Sequence, residues 1–319
     1  MSGNSIQQRG IEQLERALGN DIYRLLKSKD TVELMLNPDG SLWLEQLGSR
    51  PANTGIVVPP SRALQILQVT ASMHGLVVNA DSPILECEFP LDGSRFAGQI
   101  PPVVQAPAFT IRKKAVAVFS LDDYVRSGIM SERQKEIICG AVREHKNILV
   151  IGGTGSGKTT LINAVIQEMV DQNPLERIVI MEDTGEIQCS AENFVKLHTS
   201  PAASMSALLK TTLRMRPDRI LVGEVRGAEA LDLLMAWNTG HEGGAATVHA
   251  NNPRAALDRV AMMVSMARDY PKPIEPLIGE VCSYIVHIGR MGSSRKILSI
   301  LKVSGFRNGD YLAEELGSS

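Results

Sequence analysis

The segment Gly152 to Thr159, GGTGSGKT, constrains the fold of this chain more than any other feature. It matches the pattern G-x-x-x-x-G-K-[ST] in full, directly after an apolar strand pattern, Asn147 to Ile151, and directly before a helical pattern. In this context the glycines let successive backbone N–H groups point at phosphate oxygens, and the helix N-terminus adds its positive end. We therefore predict a nucleotide phosphate site made by Gly152, Gly153, Thr154, Gly155, Ser156, Gly157, Lys158, Thr159 and Thr160.

Two side chains of this loop have predicted roles of their own. Lys158 is expected to neutralise the β- and γ-phosphates of a nucleoside triphosphate, because an ammonium group placed there faces the end of the phosphate chain. Thr159 is expected to place its hydroxyl on the Mg²⁺ ion that accompanies a triphosphate. The predicted cofactors are a nucleoside triphosphate and Mg²⁺.

Acidic residues follow two apolar strand patterns after the loop. Glu182, Asp183 and Glu186 come after RIVIM, and Glu224 comes after RILVG, with Gly223 where many such motifs carry Asp. Ligands bind at strand ends in open α/β sheets, and a phosphate-loop enzyme needs an acid there to hold the metal or its water. Glu224 is predicted as a catalytic acid and, with Thr159, as a metal ligand. Glu182 is the second catalytic candidate, and the residues leave open which acid activates water.

Histidines and arginines complete the candidate set. His241 and His249 bracket the strand-like segment HEGGAATVH and are predicted to sense the nucleotide or to act in catalysis. An arginine that reaches the γ-phosphate can raise kcat by about 10³ to 10⁵. The chain offers several such arginines, and their positions alone do not select among them: Arg95, Arg112, Arg214, Arg216 and Arg226.

The periodicity of apolar residues predicts two domains. From about 136 onward, short apolar segments (NILVI, RIVIME, RILVGE, AATVHA, SYIVHI) alternate with longer helical patterns, which is typical of an α/β fold with a mostly parallel sheet. Before them, helical patterns at 11–26 and 61–74, a hairpin around Asn37 to Gly40 and proline-broken segments at 84–119 indicate a smaller α+β domain. The predicted boundaries are 1–120, a linker at 121–135 with a helix cap at Ser131, and 136–319, ending in a strand and a mobile tail.

Composition limits the class of partner. The formal net charge is -2 and aromatic residues make up 4% of the chain, so neither a basic field nor a base-stacking platform is evident. Direct binding of nucleic acid is therefore not expected. No segment is long and apolar enough to form a transmembrane helix, which predicts a cytoplasmic protein; peripheral association with the inner membrane through a partner stays open.

The order of four segments resembles a known family. GGTGSGKTT, MEDTGEIQ, LRMRPDRILVGEVRG and TGHEGGAATVHANNP are similar to the Walker A, Asp box, Walker B and His box of the secretion or traffic ATPases, which serve type II secretion, type IV secretion and type IV pili. GSRFAGQIPPV and FTIRKK resemble the arginine-bearing segments of that family, so the similarity extends over nearly the whole chain. The resemblance implies a RecA-like P-loop ATPase domain preceded by a smaller domain.

The same resemblance implies that the nucleotide is ATP, bound with Mg²⁺, and it implies roles and partners. It makes Glu182 and Glu186 the Asp-box acids and Glu224 the Walker B acid. It makes His241 and His249 the His-box pair, and it brings Arg95 and Arg112 to the nucleotide from the first domain. It also implies a homo-hexameric ring that works with inner-membrane and cytoplasmic components of a secretion or conjugation apparatus.

Within the family, the sequence is most similar to the conjugative and type IV secretion branch, in particular the TrbB type of conjugal-transfer ATPase. The four cysteines are scattered, which argues against the four-cysteine metal module of type II secretion members. A type IV pilus or tight-adherence motor is the nearest alternative. A regulatory ATP-binding switch with little turnover, and a motor that acts directly on DNA, are alternatives of other classes.

Overall fold

The computed structural model describes residues 2–46, 49–114, 118–200, 202–292 and 294–317. The chain divides into two compact units, residues 1–116 and 117–319, so the division lies close to the predicted end of the first domain at 120. None of the helices in these ranges is long and apolar enough to cross a membrane.

The first unit is a six-stranded antiparallel sheet with two helices packed against each other. Its strands lie in the order β3-β2-β1-β6-β5-β4, and its apolar core joins the helices to the sheet. The hairpin and both helices that the sequence predicts are present. The elements are α1 (Ser2–Lys27), β1 (Thr31–Leu36), β2 (Ser41–Gln46), β3 (Ala52–Val57), α2 (Pro60–Met73), β4 (Ile84–Glu88), β5 (Arg95–Gln99) and β6 (Ala108–Arg112).

The second unit is built on an eight-stranded mixed sheet in the order β14-β13-β12-β7-β11-β10-β8-β9. The strands from β12 to β9 are parallel, and β13 and β14 extend the sheet as antiparallel strands beyond β12. The elements are α3 (Leu121–Arg126), α4 (Glu132–Arg143), β7 (Ile148–Ile151), α5 (Lys158–Gln172), β8 (Ile178–Glu182), β9 (Phe194–His198), α6 (Met205–Thr212), β10 (Arg219–Val222), α7 (Glu229–Trp237), β11 (Ala245–Val248), α8 (Pro253–Val264), α9 (Glu275–Val281), β12 (Tyr284–Met291), β13 (Ser294–Arg307) and β14 (Asp310–Leu316).

This sheet is covered on both faces. Along β7, Leu149 and Ile151 belong to the cluster that includes α6 to α9, whereas Ile148 and Val150 belong to the cluster with α3 to α5. Every residue of β7, β8, β10 and β11 is buried, because alternate side chains enter opposite layers. The continuous apolar segments in the sequence have this origin, and the predicted α/β fold with a mostly parallel sheet is confirmed.

Two segments differ from the prediction. The residues predicted as a linker, 121–135, contain α3, which begins with a capping box at Ser120 and buries Leu121 and Tyr124 in the second unit. The predicted cap at Ser131 is present and begins α4. The predicted mobile tail is wrong for residues 310–316, which form β14. This segment is polar and gives little apolar signal in the sequence, but pairing with β13 provides hydrogen-bond partners for its backbone N–H and C=O groups.

Candidate active site

The predicted phosphate loop connects β7 to α5. Gly157 has a φ of 99° directly before the first helical residue, Lys158, a conformation that a side chain would strain. At Gly152, a Cβ atom would lie 2.2 Å from the carbonyl oxygen of Ile288, so the close approach of β12 also requires glycine. The loop thus has the backbone shape that directs N–H groups toward an anion at the start of α5.

Lys158 lies inside this loop with 8% of its surface exposed. Its Nζ donates to the carbonyl oxygens of Gly152 and Gly153, both at 3.1 Å, and lies 3.2 Å from Nε2 of His249. Burial lowers the pKa of Lys158, and the nearby Glu224 opposes that shift. The ammonium group is held by neutral oxygens, so a bound phosphate would supply its counter-charge.

Glu224 follows β10 and contacts both a histidine and an arginine. Its Oε1 lies 2.8 Å from Nε2 of His249, and its Oε2 accepts a hydrogen bond from Arg226. Arg226 also donates to Asp183 at 3.2 Å, so one guanidinium joins the acids that follow β8 and β10. Of the second-unit arginines that the sequence offers, Arg226 is the one that this geometry places against Glu224.

Glu182 and Glu186 have different environments. Glu182 ends β8 with 2% of its surface exposed, and its Oε2 accepts hydrogen bonds from the backbone N–H groups of Glu186 and Ile187, both at 2.9 Å. Burial raises the pKa of Glu182 to about 7. Glu186 reaches Thr159 instead, with 3.4 Å between the hydroxyl oxygen and Oε2. The carboxylate beside the predicted metal-binding hydroxyl is therefore that of Glu186, and Glu182 orders the segment that presents it.

Gly223 has a packing role at the end of β10. A Cβ atom at this position would lie 2.9 Å from the Cβ of Glu182 on the neighbouring strand β8. The Cβ of Glu182 and the backbone of β8 thus occupy the space that a side chain at 223 would need. The acid that follows β10 is then Glu224, one residue later.

The two predicted histidines lie at opposite ends of the central strand β11. His249 directly follows β11, at the edge where the phosphate loop follows β7, whereas His241 precedes β11. Because β11 runs parallel to β7 and rises about 3.3 Å per residue, the two side chains do not meet within one chain. His241 has a buried Nδ1 that lacks a hydrogen-bond partner among the described residues.

Arg95 and Arg112 are neighbours in the sheet of the first unit. Cross-strand pairing aligns Glu88, Arg95, Arg112 and Glu33 in one row across β4, β5, β6 and β1. The guanidinium of Arg112 donates to both carboxylate oxygens of Glu33, at 3.2 and 3.4 Å. The ion pair of Arg112 and Glu33 thus joins β6 to β1, and the approach of either arginine to a nucleotide stays a prediction.

Two arginines that sequence reasoning missed contact the phosphate loop. Arg290 donates to the carbonyl oxygen of Gly155 at 3.4 Å. Arg295 lies beside Gly157, with its Cδ 3.2 Å from the position of a Cβ there. The available signal was an arginine on each side of Gly292, after a strand pattern that could lie next to β7.

The site residues fit a nucleotide with Mg²⁺. The hydroxyl of Ser156 is buried in the loop and lacks a partner within the described part of the chain, as expected of a group that a ligand completes. Thr159 and Glu186 supply oxygen donors, which Mg²⁺ prefers. Mg²⁺ usually keeps several waters and binds one or two protein groups plus substrate phosphates, so phosphate oxygens and water would complete the coordination here.

Comparison with known proteins identifies a matching family model, described as type II/IV secretion system protein, over residues 62–288. The conjugal transfer protein TrbB of Rhizobium radiobacter is 45% identical over 306 residues, which cover 95% of this chain and 93% of the relative. The type IV secretion system protein PtlH of Bordetella pertussis is 31% identical over 318 residues, covering 88% of this chain and 92% of the relative.

Solved structures share the fold. The pilus retraction motor PilT with bound ADP matches with a TM-score of 0.61 and 17% identity, covering 96% of this chain and 82% of that one. The ATPase DotB of Legionella pneumophila matches with a TM-score of 0.61 and 19% identity, covering 88% and 80%. At these identities the likeness concerns the fold alone.

Proposed function

The chain belongs to the family of type II/IV secretion system proteins, and from this premise we propose that it is an Mg-ATP-hydrolysing motor of a type IV secretion or conjugative transfer system. The resemblance to the TrbB type that the sequence motifs predict is confirmed by the relatives. The chain is an ATPase, and the observation that carries the proposal is that Lys158 and Glu224 both lie within 3.2 Å of Nε2 of His249 at the phosphate loop.

The reaction transfers the γ-phosphoryl group of ATP to water, which breaks the bond between the γ-phosphorus and the bridging oxygen of ADP. Catalysis of this kind depends on positioning and on neutralising the charge of the transition state. Lys158 neutralises the β- and γ-phosphates. Thr159 would hold Mg²⁺, with Glu186 and Glu224 ordering its water, and the bound ion would supply further positive charge to the phosphates.

Glu224 is the acid that we assign to the attacking water. Its carboxylate and the ammonium group of Lys158 both lie next to Nε2 of His249, at 2.8 and 3.2 Å, so an oxygen of Glu224 can accept a proton near the γ-phosphate. The carboxylate of Glu182 instead accepts hydrogen bonds from the backbone N–H groups of Glu186 and Ile187, so its role is to position the loop that carries Glu186.

The proposed motor is an oligomer. We assign to the second unit a RecA-like P-loop domain, because its sheet places the loop strand β7 between β12 and β11 with parallel strands on both sides. The motor works as a homo-hexamer at the cytoplasmic face of the inner membrane, with components of the transfer apparatus as partners. Exposed apolar side chains on α7 and α8, Met235 and Met262, provide surface for contacts between copies.

Phosphate release with Mg-ATP tests this function, with the molecular mass of the protein followed by light scattering. Lys158→Ala should abolish turnover, whereas Lys146→Ala should preserve it. Lys146 lies before β7, at the end of this strand that is away from the phosphate loop. Equal turnover by wild type and Lys158→Ala would contradict the proposal. Tight binding of ATP by a monomer without turnover would indicate a regulatory switch instead.

A further inference from the structure

The hairpin formed by β12 and β13 carries two arginines that are direct cross-strand partners, Arg290 and Arg295. Ile288 and Ile297, the pair before them on the same face, are buried in the cluster that contains the residues of α5. Side chains two positions apart lie on the same face of a strand. The two arginines therefore lie on the face that packs against α5, at the end of the strands where the phosphate loop leads into this helix. A β-bulge at His287 and Ile288 lies directly before them.

Both arginines lie against the glycines of the loop. Arg290 donates to the carbonyl oxygen of Gly155 at 3.4 Å, and the Cδ and Nε atoms of Arg295 lie 3.2 and 3.5 Å from the position of a Cβ at Gly157. Since β7 lies between β12 and β11, these contacts are on one side of the loop and His249 is on the other. The phosphate loop therefore has positively charged or polar groups on both sides.

The arginine pair has no evident structural benefit. Like charges directly opposite each other in a sheet destabilise the pairing. Within the described ranges, Arg290 and Arg295 are exposed and make no ion pair with an acid, whereas Arg112 and Arg226 each have a carboxylate partner. Two unpaired guanidinium groups beside the buried, unpartnered hydroxyl of Ser156 are the arrangement expected of an anion site that a ligand completes.

The position of the acids indicates which part of the ligand these arginines face. Glu186, Glu224 and His249 come from β8, β10 and β11, all on one side of β7, so the γ-phosphate and its attacking water belong on that side. The α-phosphate and the nucleoside then extend past Gly155 and Gly157 toward β12. We propose that Arg290 and Arg295 bind the α-phosphate of the nucleotide, an inference that rests on the proposed ATPase function. They contribute to the affinity for ATP and ADP alike, and they do not take part in the hydrolytic step.

Isothermal titration calorimetry on the full chain tests this proposal by measuring the affinity for ADP and for the non-hydrolysable analogue adenylyl-imidodiphosphate. Each variant, Arg290→Ala and Arg295→Ala, should weaken both ligands by a similar factor of about tenfold, the effect of losing one hydrogen bond to a charged group. Arg290→Lys should bind more tightly than Arg290→Ala because it keeps the charge. Arg307→Ala is the matched control, since Arg307 is an exposed arginine on the same strand β13 at the end away from the loop.

Steady-state kinetics supply the second readout. The alanine variants should raise the KM for ATP while kcat stays within about twofold, because the interaction is the same in the ground state and the transition state. Unchanged ADP affinity in both alanine variants, a loss confined to the triphosphate analogue, or a lower kcat at unchanged KM would each overturn the assignment. A wild-type protein that binds and hydrolyses no ATP would instead contradict the proposed function itself.

Discussion

The Oε1 atom of Glu224 lies 2.8 Å from Nε2 of His249. The same nitrogen is 3.2 Å from Nζ of Lys158, so three separate sequence motifs meet at one imidazole. Nε2 can either donate to Glu224 or accept from Lys158, and burial, followed by the nearby Lys158, lowers the pKa of His249. A neutral imidazole with its proton on Nε2 orients Glu224 beside the phosphate loop, where a carboxylate can accept a proton from water.

The first prediction concerns this acid. Glu224→Gln should lower kcat for phosphate release by about 10² to 10⁴, the usual contribution of a general base, because the amide keeps the shape but accepts no proton. The affinity for ADP should change little. Glu314→Gln, an exposed position on β14, is the control. A variant Glu224→Gln with wild-type kcat would remove this residue from the reaction.

The second prediction concerns the metal. Because Glu186 Oε2 lies 3.4 Å from the hydroxyl of Thr159, Glu186→Gln should raise the Mg²⁺ concentration needed for half-maximal phosphate release by roughly tenfold. Titration of Mg²⁺ at saturating ATP measures this shift. The exposed Glu192, in the loop before β9, provides the control Glu192→Gln. An unchanged Mg²⁺ requirement in the Glu186 variant would show that this carboxylate does not order the metal.

The third prediction concerns the dependence of stability on pH. Burial raises the pKa of Glu182 from 4.5 to about 7, so the folded protein binds more protons than the unfolded chain between these values. The contribution of Glu182 to the free energy of unfolding is thus complete below pH 4.5 and is lost as the pH rises through 7, a decrease of about 3 kcal/mol.

Urea denaturation at pH 5 and pH 8 measures this decrease. Glu182→Gln cannot ionise and should reduce the fall in stability between the two pH values, whereas the control Glu192→Gln should retain it. If the pH dependence of the Glu182 variant equals that of wild type, the buried carboxylate is not the group responsible.

The fourth prediction concerns the packing of Gly223. Gly223→Ala places a methyl group 2.9 Å from the Cβ of Glu182 and should lower the free energy of unfolding by about 1 to 3 kcal/mol, the usual cost of overpacking. Gly140→Ala is a control of opposite sign, because a Cβ at this helical position meets no atom within 4 Å and alanine favours the helix by about 0.5 to 1 kcal/mol. Thermal unfolding of both variants measures the difference, and equal melting temperatures would contradict this account.

The fifth prediction concerns the first unit. If Arg112 reaches the nucleotide as the family resemblance implies, Arg112→Ala should lower kcat by about 10² or more. The loss of its exposed ion pair with Glu33 should change the stability by less than about 1 kcal/mol. Arg50→Ala, at another exposed arginine of this unit, should affect neither quantity. A fall in stability that matches the fall in activity would reduce Arg112 to a structural role.

The sequence by itself determined the features that depend on neighbouring residues. The phosphate loop between β7 and α5, the cap at Ser131 and the hairpin of β1 and β2 each need only a short segment to form, and each is where the sequence predicts it. The buried parallel strands were also predictable, because strands covered on both faces must be apolar throughout. The edge strands β9 and β14 were not predictable, because they are partly exposed and their sequences resemble those of loops.

Only the tertiary structure decided which side chains meet at the loop. The order of strands places β12 and β11 on either side of β7, and this brings Arg290 and Arg295 to one flank and His249 to the other. It also separates His241 from His249 across the length of β11. It places the carboxylate of Glu182 under the backbone N–H of Glu186, whose own carboxylate lies 3.4 Å from the hydroxyl of Thr159. Such pairings depend on contacts between residues distant in the chain, which no local pattern encodes, because the crossovers between parallel strands can join them in many orders.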